Sequence, residues 1–242
     1  MRDDLAFALE LADLADSITL ARFRAADLHV DTKPDLTPVS EADRAVEEAL
    51  RERIARDRPG ESVLGEEEGG EAGDWIVDPI DATKNYVRGI PLFATLIALE
   101  GRAAVVSAPA LGKRWWAARG EGAFADGRPL QVSGVSRVED CVLSFTSPRG
   151  HGEGFWRLVE RSWAPRGFGD FWQYMLLAEG AVDLCVESEA KRWDLAAPKL
   201  IVEEAGGRLT SLRGEDTAAG GDCLASNGAL HDAALAELLR AE

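Results

Sequence analysis

Residues 75–85 read Trp75-Ile76-Val77-Asp78-Pro79-Ile80-Asp81-Ala82-Thr83-Lys84-Asn85. Three apolar residues run into an acid, and a proline, which has no N–H to offer a ladder, forbids further sheet pairing. A second acid follows three positions later, beside a small residue and a hydroxyl. Asp78 and Asp81 are therefore expected to leave a strand end close enough to share cations, while the N–H groups of Ala82, Thr83 and Lys84 open a helix. Carboxylates at such a point hold metal and free N–H groups hold an anion. One segment carries both halves of a metal-assisted phosphate site.

Upstream, residues 62–64 read as a short strand running into Gly65-Glu66-Glu67-Glu68-Gly69-Gly70. Alone, that run is a solvated turn. With a second strand ending in Asp78 and Asp81 within 15 residues, two neighbouring strand ends would bring Glu66 beside both aspartates, where like charges repel unless cations neutralise them. Before this, residues 3–24 place Leu5, Leu9, Ala12 and Ile18 on one helical face, and Ser40 with Asp43 forms a capping box for a second helix ending near Asp57. Between the two helices, residues 28–39 contain two prolines that block regular structure and leave Asp35 and Thr37 exposed in a loop.

Downstream, residues 92–99, 103–108 and 114–118 read as an antiparallel meander. From Cys141 the rhythm alternates: strands at 142–145, near Phe168 and at 182–186, with helices at 155–163 and 171–178. The expected class is α/β, with an α+β N-terminal half at 1–137 that carries most of the candidate ligands and an α/β half at 138–242. The second half supplies Asp194, ahead of an apolar helix that runs to about Glu204. As an N-cap it would be purely structural, yet its second oxygen could close a metal site between the halves. The tail reads as strands at 209–212 and 223–226 and a helix at 229–239.

With 242 residues the chain buries roughly 70 to 75% of its unfolded surface. Its 43 acids against 27 bases give a formal charge of −16, which argues against nucleic acid or an anionic membrane as partner. Cys141, Cys185 and Cys223 are far apart and odd in number, as expected of buried thiols in a reducing compartment. No run of about 18 apolar residues exists and the acidic start lacks a signal-peptide pattern, so a cytoplasmic location is expected.

Serine-hydrolase and P-loop motifs are absent, and His29, His151 and His231 fall outside any candidate motif, as surface or loop residues. The spacing of Asp78 and Asp81 misses the D-x-D of phosphatases that form an aspartyl phosphate, which leaves water as nucleophile. Oxygen-only ligands favour Mg²⁺, and Glu66, Asp78, Asp81 and Asp194 carry enough charge for two ions. Thr83 can orient the attacking water, Asp35 can accept the proton that Thr83 passes on, and the N–H groups of Ala82 and Thr83 can cradle the phosphate.

The segments GEEEG, WIVDPIDATKNYVRGIPLFATLIAL and WDLAAPKLIVEEAGG, with PDLTPVSEAD before them and ASNGALHD near the end, resemble the signature motifs of the inositol monophosphatase family. The resemblance implies a layered α-β-α-β-α sandwich, a homodimer, and a Mg²⁺-dependent phosphatase holding two or three ions per site and acting on a small phosphomonoester. It implies Glu66, Asp78, the Ile80 carbonyl, Asp81 and Asp194 as metal ligands, and Asp35 with Thr83 as the water-activating pair. DTKPDLTPV, NYVRGIP, SAPALGKRWWAARGEGAF and GDFWQYMLLAEGAVDLCVE look most like the bacterial histidinol-phosphate phosphatases of that superfamily. Histidinol phosphate, in histidine biosynthesis, is then the implied substrate. Inositol monophosphate or another small sugar or nucleotide phosphate is the alternative. Glu187, seven residues before Asp194, matches an acid that contacts substrate in the family, and Asp170 is a second candidate whose other role is a helix cap.

Two positions depart from the family pattern. Ala82 stands where the family has glycine, and Pro198 sits in the first turn after Asp194. A negative φ at residue 82 would leave its N–H free to meet a phosphate; a positive φ would strain alanine and point to a binding-only relative. The intact carboxylates favour the negative value.

Overall fold

The computed structural model describes residues 2–34, 36–70 and 73–240. Among them, a two-stranded hairpin pairs β1 (Val30–Thr32) with β2 (Pro38–Ser40). A large sheet runs in chain order through β3 (Val63–Gly65), β4 (Trp75–Asp81), β5 (Ala94–Leu99), β6 (Ala103–Ala108), β7 (Lys113–Ala118), β8 (Gly122–Ala125) and β9 (Arg128–Pro129). Only β3 and β4 are parallel in it. A smaller sheet has the order β11 (Ala164–Arg166), β10 (Val142–Ser144), β12 (Leu184–Ala190), β14 (Gly221–Ser226), β13 (Arg208–Thr210) and mixes parallel with antiparallel pairs.

The helices α1 (Arg2–Arg22), α2 (Glu41–Asp57), α3 (Thr83–Val87), α4 (Glu153–Arg161), α5 (Asp170–Ala178), α6 (Arg192–Glu204) and α7 (His231–Leu239) complete five layers. Alternation along each strand assigns the faces. Trp75, Val77, Ile97, Leu99 and Val105 meet α1 and α2, while Ile76, Leu96, Ala98, Ala104 and Val106 turn inward to α5 and α6. On the smaller sheet, Cys185, Cys223 and Ala225 face the same middle helices, and Leu184, Val186 and Leu224 pack under α4 and α7. The result is an α-β-α-β-α sandwich. Alanines dominate the inward face of the large sheet, so the middle helices can approach its backbone closely.

Several expectations need correction. The buried face of α1 is Phe7, Ala8, Leu11, Ala12 and Ala15, with Leu5, Leu9 and Ile18 only flanking it. The segment expected as an irregular loop forms the β1–β2 hairpin, since Pro38 opens β2, where its missing N–H is tolerated. Nor does pairing stop at Pro79. β4 continues to Asp81 through a bulge, Asp78 facing Leu96 and Asp81 facing Ala94, and the Thr95 hydroxyl donates to the Pro79 carbonyl at 2.8 Å. The bulge points both aspartates toward the end of the sheet. β8, short and rich in small residues, and the two-residue β9 extend the meander beyond the expected strands. His231 is fully buried, with Nε2 3.0 Å from the Thr210 hydroxyl and Nδ1 2.8 Å from that of Ser226.

The capping box at Ser40 forms as expected: its N–H donates to Asp43 Oδ2 at 2.8 Å. Farther along α2, Glu47 is fully buried and accepts from Arg51 Nη2 at 2.7 Å and from the N–H groups of Glu67 and Glu68 at 2.7 and 3.0 Å. That carboxylate is what folds the acidic turn back onto the helix. Removing it leaves Arg51 on the Val63 and Gly69 carbonyls and Glu68 but takes the acceptor from the two amides, so Glu47→Ala should lower stability by about 2 to 3 kcal/mol in urea unfolding. A loss under about 1 kcal/mol would show that the turn is held by other means.

Candidate active site

A cleft of about 820 Å³ opens where the strand ends and helix starts of both sheets converge. Its walls come from the β1–β2 hairpin, the end of β4, the starts of α3, α5 and α6, and the end of β12. Asp78, Asp81 and Asp194 each place a carboxylate oxygen within 4.8 Å of the others. Both β4 aspartates are buried, and Asp78 Oδ1 has no hydrogen-bond partner. Burial, followed by the charges of Glu66, Asp81 and Asp194, holds the Asp78 carboxyl well above its ordinary range. Burial and the nearby Asp170 and Asp194 do the same to Asp81, against one N–H donated by Phe171 at 2.5 Å. An all-oxygen donor set with an orphaned buried oxygen fits a hard divalent cation.

Asp194 is not the N-cap expected of it. α6 begins at Arg192, and Asp194, in the third helical position, reaches back through Oδ2 to the Lys191 N–H at 2.7 Å, leaving Oδ1 for the cleft. Burial pushes its carboxyl up to about 7. Pro198 lies inside this helix rather than at its start, so it gives no N–H to the Asp194 carbonyl. Glu66 lines the same cleft but stands outside the tight trio, bonded to Lys33 Nζ at 2.7 Å. Lys33 also holds Glu67 at 2.7 Å, whose carboxyl burial raises to about 7.

The Thr83 hydroxyl lies 2.9 Å from the Ile80 carbonyl and 3.3 Å from Asp43 Oδ1. With one proton, it donates to one of these at a time. Asp35 lies outside the described residues; the carboxylate set against Thr83 is Asp43, which the sequence had offered only as a capping acid. Its two oxygens are divided, Oδ2 to the cap and Oδ1 to Thr83, and it is fully buried. Ala82 is also a correction: φ is 65° and ψ 43°, the left-handed region and not the negative value expected. Ala82, Thr83 and Ile80 all line the cleft.

Glu187, at the far end of the cleft, is buried and accepts at Oε1 from the Thr146 N–H and hydroxyl at 2.7 and 2.6 Å and from the Gln173 amide. Burial raises its carboxyl. Asp170 opens α5 with a left-handed φ of 46° and donates its N–H to the Thr146 hydroxyl at 3.0 Å. The expected metal ligands Glu66, Asp78, Ile80, Asp81 and Asp194 thus share one cleft with the candidate substrate acids Glu187 and Asp170.

The family model for the inositol monophosphatase family matches residues 1–242. The chain belongs to that family. It is 54% identical to a histidinol-phosphatase of Mycobacterium tuberculosis over 98% of both chains, and 50% identical to one of Streptomyces coelicolor over 98% of this chain and 97% of the relative. The solved Thermotoga maritima IMPase superposes with a TM-score of 0.89 at 32% identity, covering 98% of this chain and 96% of that one. As an inositol monophosphatase family member with this catalytic cleft, the chain is a phosphomonoesterase.

Two outcomes follow from the cleft's electrostatics and backbone. The folded pKa of Asp194, about 7, lies above its ordinary 3.8, so the metal-free folded state keeps a proton that the unfolded chain releases. Stability from this group is complete below about pH 4 and is lost as pH rises through about 7. Without metal, Asp194→Asn should therefore gain melting temperature relative to wild type between pH 4 and pH 7, and a divalent cation should restore the wild type. His231, held at about 4 by burial, contributes the opposite slope, but equally to both proteins. A constant difference across that range would contradict the assignment. Second, Ala82→Gly relieves the left-handed strain and should raise stability by up to about 1 kcal/mol, net of glycine's unfolded-state entropy; a loss in denaturant titration would mean the alanine methyl is packed rather than strained.

Proposed function

We propose that this chain is a Mg²⁺-dependent phosphatase that hydrolyses histidinol phosphate to histidinol and phosphate. The single observation that carries the mechanism is the trio Asp78, Asp81 and Asp194 set beside the Thr83–Asp43 pair. Those three carboxylates, with Glu66 and the Ile80 carbonyl at the margin, would hold two or three Mg²⁺. Bound there, the ions supply charge to neutralise the phosphoryl oxygens and acidify water. Thr83 orients the water through its hydroxyl, and Asp43 Oδ1 takes the proton Thr83 passes on. The N–H groups of Ala82 and Thr83 point the phosphate into line.

Two features support histidinol phosphate. The relatives above at 54 and 50% identity carry that name. Glu187 and Asp170 also line the cleft, and their carboxylates gain more from a charged ammonium or imidazolium on the leaving group than from the hydroxyls of a neutral polyol. In this reading residues 1–137 and 138–242 act as two halves closing on the ions, in a cytoplasmic homodimer.

The test is phosphate release with Mg²⁺ from histidinol phosphate, inositol monophosphate, fructose bisphosphate and adenosine bisphosphate, each with wild type and Asp43→Asn. Histidinol phosphate should lead the panel in kcat/KM, and Asp43→Asn should lose about 10²-fold or more on every substrate with KM little changed. Turnover that survives chelation rejects the metal mechanism, and a lead for inositol monophosphate rejects the substrate. Asp43→Asn at near wild-type rate returns the proton acceptor to another group.

A further inference from the structure

We propose that Thr146 is a positioning residue for leaving-group selection, the joint that fixes Glu187 and the Asp170 turn in one geometry. This rests on the histidinol phosphate reading and goes beyond it by naming what aims the recognition acids. Thr146 follows β10 and lies exposed on the cleft wall. Its N–H and its hydroxyl both donate to Glu187 Oε1, and the same hydroxyl oxygen accepts the Asp170 N–H. Gln173, from α5, donates to Oε1 from another side. Among the described residues, every protein donor to Glu187 therefore falls on one oxygen.

That asymmetry has a directional effect. Tilting or withdrawing the carboxyl would break three donors at once, so the group is held with one oxygen uncommitted in a residue that lines the cleft. A locked acceptor favours a nitrogen cation at one place over a mobile or neutral group. The Asp170 turn is seated just as tightly. A Cβ at Gly169 would stand 2.9 Å from the Thr146 Cα, and Asp170 keeps a left-handed φ, a conformation that persists where neighbours over-determine it. The next amide, that of Phe171, donates to Asp81. A continuous path of backbone and hydrogen bonds thus runs from Glu187 through Thr146, Asp170 and Phe171 to a metal-site carboxylate.

The experiment compares steady-state phosphate release from histidinol phosphate and from glycerol phosphate in wild type, Thr146→Val, Thr146→Ser and Gln173→Met. Valine keeps the volume and the backbone N–H and deletes the hydroxyl, at an exposed position where the core is untouched. For Thr146→Val, kcat/KM on histidinol phosphate should fall about tenfold, chiefly through KM, while glycerol phosphate changes less than about twofold. Thr146→Ser should restore the preference, and Gln173→Met should shift it in the same direction as valine. Equal losses on both substrates, an unchanged ratio in Thr146→Val, or no rescue by serine overturns the proposal. A wild type that prefers histidinol phosphate while Thr146→Val keeps that preference defeats this inference alone; a wild type with no such preference defeats the substrate reading and this inference with it.

Discussion

Four carboxylates crowded into one cleft form the constraint on which this fold depends. Asp78, Asp81, Asp194 and Glu66 repel one another and resist desolvation, and each carboxyl of the trio is raised. A small protein can keep such a group together only by anchoring its members in rigid elements. β4 holds two across a bulge, α6 holds the third by a back-bond to its own first turn, and Glu47 of α2 holds the turn that carries the fourth. The five layers bring those anchors to a single edge. Lys33 beside Glu66 and the Phe171 amide on Asp81 supply part of the opposing positive field.

Much of this was legible in the chain itself because the chemistry is local there. Asp78 and Asp81 sit within one strand-to-helix passage, and Asp194 sits at a helix start that its own pattern marks. The meander and the alternating second half were visible as hydrophobic periods. What escaped were features set by tertiary contact. Pairing past Pro79 needs a bulge that only the partner strand reveals, and β8 and β9 lack a period of their own. Asp43 read as a cap because one of its oxygens is a cap; that the other meets Thr83, 40 residues away, is invisible to spacing. Asp35, proposed for that part, falls outside the described residues.

Ala82 shows where local reasoning gave the wrong sign. Intact ligands argued for a relaxed backbone, yet the residue is left-handed. The peptide orientation at the start of α3 is imposed by the strand end and the Thr83 contacts, and alanine accepts it at a modest cost. Strain there is compatible with a full set of ligands, so it is no mark of a decayed site. Asp170, across the cleft, is another non-glycine lining residue held left-handed.

The alanine lining of the large sheet has a further meaning. Ala94, Ala98, Ala104, Ala108, Ala117, Ala123 and Ala125 all face the middle layer, so between the larger Ile76, Leu96, Val106 and Trp115 the helices α5 and α6 meet a floor of small side chains. Such a layer works as a thin, incompressible gasket: its thickness sets the separation of the two sheets, and with it the distance from the β4 acids to Asp194 and Glu187. Growth by a single methylene at a site such as Ala98 or Ala104 would overpack this layer and press the helices away from the sheet, without being placed in the cleft. Drift in substrate preference within such a scaffold need not begin in the cleft, since the calliper that sizes it is buried in the floor.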